Sequence, residues 1–328
     1  MKKIAALLIC STLTLGTLTA CGGGNASSKP ETSNAKSETS ESAEPESSTS
    51  EPASDAAKTG LSVSTSISNS APAGAEDGLA QIDSTAAAVL VDANGKILDC
   101  KIDSAQTKIN FSAEGKLITD ASTTFKSKQE LGSEYGLGKS SSIGKEWNEQ
   151  ADAFAEYTIG KTVDEIKGIA VNDEGVPTEE DLTSSVTIHI GDFVSAVEKA
   201  VANAKDLGAK GTDTIGLGID TQMSSSKDAT AEEKGLAQAY SMYSVVTTDA
   251  DSKITSCYVD ASQGDVNFDT TGKITSDLKA AVETKQELGN AYGMKKASSI
   301  GKEWYEQADA FSAYVTGKTA AEVGGISV

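Results

Sequence analysis

Arginine is absent from this chain of 328 residues, and its positive charge rests on 28 lysines against 48 acidic residues, a formal net charge of −20. Without guanidinium groups there is no bidentate clamp for phosphate or carboxylate. An acidic chain without a basic patch also lacks the cations that neutralise a nucleic-acid backbone, so nucleic acid is excluded as a partner. Histidine occurs once, at His189, which excludes multi-histidine metal sites. Aromatic residues make up only 5% of the chain, so its cores must be built from Ala, Val, Ile and Leu. Four cysteines are spread along the sequence in no metal-binding spacing. Calcium loops, with oxygen ligands at alternate positions around a glycine, are likewise not legible.

Long apolar runs are scarce as well. Ile4 to Leu18 follows Met1-Lys2-Lys3 but is short and interrupted by Thr and Gly, a pattern of export and not of a membrane span. It leads into Leu18-Thr19-Ala20-Cys21, which resembles the bacterial lipoprotein box. That resemblance implies a signal peptide over 1–20, lipidation of Cys21, membrane attachment through acyl chains and an extracytoplasmic location. The next stretch, to residue 58, is Ser, Glu, Thr, Pro and Ala with almost no large apolar side chain. Such a composition cannot offset its ordering entropy, and it reads as a disordered tether over 21–58.

What the remainder does contain is one unit written twice. Lys128-Gln129-Glu130-Leu131-Gly132 returns at Lys285 to Gly289, and Ser141 to Trp147 returns at Ser298 to Trp304. Gln150-Ala151-Asp152-Ala153-Phe154 returns at Gln307 to Phe311, all at a constant offset of 157. A period this long marks a duplicated domain and not a solenoid repeat. The first copy spans 59–205, a linker 206–213, and the second copy 214–328; the second has no counterpart of the segment after Val171. The fold class expected is α+β: two tandem homologous domains, each a small antiparallel or mixed sheet packed with helices, after the tether.

Alternation at Leu61, Val63, Thr65 and Ile67 predicts a strand with one buried face. Ala86 to Asp92 and Lys96 to Asp103 predict a hairpin with a type I′ turn at Asn94-Gly95, and Lys108 to Thr119 a second hairpin. Lys145 to Ile159 has helical apolar spacing and a stop at Gly160. Thr162 and Thr319 each open a capping box. Val186 to Ile190 alternates as a strand, and Asp192 is placed to cap a last helix. Cys100 and Cys257 read as buried core thiols, Trp147 and Trp304 as core or interface residues, and His189 as a half-exposed strand residue. No nucleophile elbow or activated base accompanies His189, so the residues point to a carrier or binding protein and not to an enzyme.

Asp181-Leu182-Thr183-Ser184-Ser185-Val186-Thr187 and the helix after it resemble the C-terminal motif of the bacterial FMN-binding domain family, Asp-x-x-Ser/Thr-Gly-Ala-Thr followed by a helix. Asn94-Gly95-Lys96-Ile97, Asp103, Gly115-Lys116 and Tyr135 fall in the family's order upstream. The resemblance implies FMN held covalently through Thr187, with Asp181, Ser184 and Ser185 at cofactor-binding positions. It also implies a flavin transferase and a redox partner, and electron transfer outside the membrane. Ser185 and Val186 replace the family's Gly and Ala, and the second copy has no motif. The other reading is a surface ligand- or partner-binding or structural module that has lost flavin.

Overall fold

The computed structural model describes residues 55–327. The expected signal peptide, the expected lipidation site Cys21 and the expected tether as far as residue 54 lie outside the described residues. Elements follow in chain order as β1 (Lys58–Ser66), β2 (Gly78–Val91), β3 (Ile97–Phe111), α1 (Lys128–Leu131), α2 (Trp147–Thr158), α3 (Val163–Lys167), α4 (Glu180–Thr183) and α5 (Gly191–Ala202). The second copy continues with β4 (Thr214–Gln222), β5 (Gly235–Thr248), β6 (Ile254–Phe268), α6 (Lys285–Leu288), α7 (Trp304–Val315) and α8 (Ala320–Gly324). No helix among the described residues is long and apolar enough to cross a membrane.

Each copy forms one antiparallel meander, β1-β2-β3 and β4-β5-β6. This corrects the expected arrangement in two respects. Neither sheet is mixed, because every pairing is antiparallel. And the copies are not two separately cored domains: 55–328 forms one compact unit whose central core is shared. Ile82, Ile109 and Phe111 of the first copy pack with Met223, Val266 and Phe268 of the second. Leu61, Val63, Ala88 and Leu90 pack with Ile215, Tyr243 and Val245. The Phe111 and Phe268 rings stack with centroids 4.2 Å apart. The resulting order of layers is helices, sheet, sheet, helices.

The physical reason lies in β2. Alternation in a strand sends Ala86, Ala88 and Leu90 to one face and Ala87, Val89 and Val91 to the other, and all six are buried. A strand apolar on both faces needs a layer on each side, and the other copy supplies the second. Paired contacts repeat across the interface. Thr59 Oγ1 meets Ser256 Oγ at 2.6 Å, while Ile215 N donates to Asp99 Oδ2 at 3.3 Å. Ala73 N donates to Gly272 O, and Ala229 N to Gly115 O.

Several local expectations change. Asp92–Gly95 closes with Gly95 N donating to Asp92 O, and only Gly95 has positive φ (+77°). The turn is therefore type I ending in a left-handed glycine, not type I′. Ser252 stands at the equivalent position with φ +59°. The predicted strand Val186 to Ile190 is irregular backbone leading into α5. Val186 and Ile190 are nonetheless buried, because this segment crosses the helical core and no sheet edge is beside it. Ile190, not Asp192, holds the N-cap position of α5. Both predicted capping boxes form, at Thr162 and Thr319.

Candidate functional site

In the first copy, α2 and α5 lie over the outer face of the sheet. Trp147, Phe154 and Phe193 meet there in tilted and edge-to-face pairs with centroids 5.6 Å apart. Close seating of α5 depends on β1. A Cβ on Gly60 would stand 2.0 Å from Ala200 O, so helix backbone rests directly on strand backbone. Ser62 Oγ donates to Ala196 O at 2.7 Å.

Between the N-terminal ends of these helices and the sheet lies a cavity of about 280 Å³. Thr85 and Ser104 form its sheet side, Tyr135, Leu137 and Trp147 its apolar wall, and Ile188, His189 and Asp192 its rim; Lys128 also lines it. Lys128 Nζ sits 4.6 Å from the Tyr135 ring centroid and 5.0 Å from that of Trp147, in cation–π range. His189 is exposed and rests against Gly175 and Gly191. Its Nδ1 accepts from Gly191 N at 3.2 Å, which leaves Nε2 to carry the proton of the neutral ring.

Thr187 directly precedes the two rim residues Ile188 and His189. It is half-buried and held by the fully buried Gln150, whose Oε1 accepts Thr187 N at 2.8 Å and Thr187 Oγ1 at 3.3 Å. Gln150 Nε2 is fixed in turn by Lys145 O at 3.0 Å and Ser141 Oγ at 3.3 Å. Lys145 Nζ donates to Ser185 Oγ at 3.3 Å. Thr187, Ser185 and Lys145 thus gather around the start of α2. Asp181 and Ser184 stand exposed at the two ends of α4, and neither side chain hydrogen-bonds Thr187.

A phosphate group at Thr187 would meet side chains and not a backbone cradle. Ser185 N and Val186 N both donate to Leu182 O, and Thr187 N to Gln150, so the motif's amides are committed within the protein. The remaining donors are the Lys145 ammonium and the hydroxyls of Ser184 and Ser185. Those groups suit the singly charged phosphodiester that FMN would form with Thr187, and the aromatic cavity beside them suits a planar ring, so the residues present fit FMN on these two counts.

Sequence reading missed Gln150, Lys145 and Lys128. Their signal was available, because all three fall in the stretches that recur in the second copy. Lys285, the equivalent of Lys128, sits among Tyr240, Tyr292 and Trp304 at 4.3, 4.4 and 5.3 Å and donates to Tyr240 Oη at 3.2 Å. Burial lowers its ammonium to about 8. Among the described residues, Cys100 and Cys257 are free and buried, and burial pushes Cys100 up to about 12 and Cys257 to about 11, so both are inert core thiols. Among the described residues no group of His, Cys, Asp and Glu is placed to hold a metal ion.

No family model matches the chain, and no solved structure matches it. A stretch of 41 residues is 56% identical to a protein named chlorophenol reductase, from Desulfitobacterium hafniense. The match covers 12% of this chain and 12% of that protein's length.

Proposed function

We propose that the chain is an extracytoplasmic lipoprotein, anchored through Cys21, whose first copy carries FMN on Thr187 and passes electrons to a redox partner. The observation that carries the reading is the setting of Thr187. The residue is half-buried and its hydroxyl donates to Gln150, with a lysine bonded to Ser185 two residues before it and an aromatic, lysine-bearing cavity at the next two residues. FMN, when bound, supplies the redox chemistry. The protein's part is to hold the phosphate with Thr187 and Lys145, to face the ring with Tyr135, Leu137 and Ile188, and to place Lys128 where it favours an electron-rich ring. The short likeness to a protein named as a reductase is of the same broad chemistry and brings no substrate to this chain.

Coexpression with a flavin transferase tests this. The denatured wild-type chain should keep yellow fluorescence on a gel, and Thr187→Ala should lose it while melting at the same temperature. Ser185→Gly with Val186→Ala should raise labelling. A dark wild type and a dark double variant beside an active transferase would refute the flavin reading. They would leave the second one, a ligand- or partner-binding module, which is favoured by the committed amides of Ser185, Val186 and Thr187. Anchoring is tested separately: Cys21→Ser should move the protein from the detergent phase to the aqueous phase, and unchanged detergent-phase partitioning would argue against the lipid.

A further inference from the structure

Thr85 and Ser104 face each other across β2 and β3, on the sheet side of the first copy's cavity. Ser104 is buried and Thr85 half-buried. Their hydroxyls bond to each other at 3.1 Å, and either can be the donor. A hydroxyl carries one proton and two lone pairs, so this mutual bond leaves the pair with a proton to give and lone pairs open on both oxygens. Neither hydroxyl makes another hydrogen bond among the described residues.

Comparison of the two copies sets this pair apart from the rest of the cavity. Lys128, Tyr135 and Trp147 have the equivalents Lys285, Tyr292 and Trp304, and in both copies the ammonium lies against the tyrosine and tryptophan rings. That cage is common to both. The hydroxyls are not: at the same register of the second sheet Met242 stands opposite Ala261. The strands therefore pair equally well with apolar side chains at these two positions, and the sheet has no need of hydroxyls there. They stand only in the copy that carries Thr187. A shielded donor left unmet beside aromatic walls costs free energy, and a ligand group that meets it recovers that cost. Lys128 takes part in no ion pair among the described residues, so its charge is also open to a ligand.

We infer that Thr85 and Ser104 determine which ring this cavity accepts: a planar heteroaromatic with an imide edge, in which an N–H lies between two carbonyl groups. Such an edge presents acceptor, donor and acceptor side by side in one plane. The free hydroxyl proton of the pair is given to a carbonyl oxygen, and an open lone pair receives the N–H. Tyr135 and Trp147 supply apolar surface for the ring, and the Lys128 ammonium suits its electron-rich carbonyl end. The dione end of a flavin is an edge of this kind, and the choice of a flavin as the ring rests on the function proposed above.

The test uses the full chain made without a flavin transferase, so that Thr187 is free. The probes are lumiflavin and 3-methyllumiflavin, in which a methyl group replaces the imide proton, and quenching of probe fluorescence reads binding. Lumiflavin should bind saturably, and 3-methyllumiflavin at least about tenfold more weakly, because it leaves the hydroxyl pair without its partner. Thr85→Val with Ser104→Ala removes both hydroxyls at nearly constant shape. This variant should melt as the wild type does, bind lumiflavin about tenfold more weakly and no longer tell the two probes apart. The inference is overturned if the wild type binds both probes equally, if it binds neither up to about 0.2 mM, or if the apolar variant still prefers lumiflavin. Transferase labelling of Thr187, read separately, keeps the two readings distinct. Labelling without a preference for lumiflavin sinks the imide inference alone. A preference for lumiflavin without labelling sinks the covalent carrier alone and leaves a cavity for an imide-bearing ligand.

Discussion

Asp103 lies in the middle of β3 and is 6% exposed, and its carboxylate accepts from Ser104 N at 2.7 Å and Gln129 N at 3.1 Å. Burial outweighs these bonds and raises the carboxyl to about 6 from its ordinary 3.8. Asp260 repeats the arrangement and the direction, again to about 6. Between those values the folded chain binds more protons than the unfolded one. The contribution is complete below the unfolded value and is lost as pH rises through the folded one. Asp103→Asn keeps the acceptor for both amides and removes the charge. It should stabilise the protein at pH 7 by on the order of 2 kcal/mol and flatten the rise in melting temperature between pH 7 and 5. Thermal melts across that interval check it, and an unchanged slope would count against burial as the cause. The sequence showed Asp103 only as a strand-ending acid in a family-like order. Its protonation was not legible, because it depends on the layers that cover it.

The helix α5 and the strand β1 are distant in sequence, and their contact is decided by Gly60. Gly60→Ala should displace α5 and cost about 1–3 kcal/mol, the usual range for overpacking a closed contact. Gly216→Ala, whose Cβ would meet Val246 Cγ2 at an ordinary contact distance of 3.5 Å, should be neutral or stabilise by up to about 0.5 kcal/mol, since Ala narrows the unfolded ensemble. Urea titrations of the two variants, side by side, make the comparison. Helix boundaries were well marked in the sequence, since the capping boxes at Thr162 and Thr319 and the stop before Gly160 are local chemistry. The stretch Val186 to Ile190 was misread as a strand. Alternation reports which side chains are buried, and a segment crossing a helical core alternates without pairing to any neighbour.

For the molecule as a whole, the shared core predicts one unfolding event. Phe111 and Phe268 stack nearly parallel, at 6°, and each covers a glycine of its own sheet, Gly78 or Gly235. Phe111→Ala removes a fully buried ring and should cost about 3–5 kcal/mol. Its effect should fall on both copies together, as a single transition at lower temperature in calorimetry. Two separable transitions, only one of them shifted, would show that the copies unfold independently. The acidic surface belongs to this scale too. The ion pairs are between half-exposed side chains, such as Lys167 with Glu198 and Lys302 with Glu306, and pairs of that kind add little to stability.

The duplication, the hairpin joining β2 to β3, the capped helices and the buried cysteines were written in the sequence, because each follows from composition, periodicity or identity at a fixed offset. The sequence also marked Thr187 and its neighbours through a resemblance carried by a few residues. Tertiary structure alone decided that the two copies share a core. The all-buried run Ala86–Val91 announces two covered faces but not what covers them. Tertiary structure alone also decided that Gln150 and Lys145 meet the Thr187 segment. Contacts between residues far apart in the chain depend on how whole layers pack, and no local pattern encodes them.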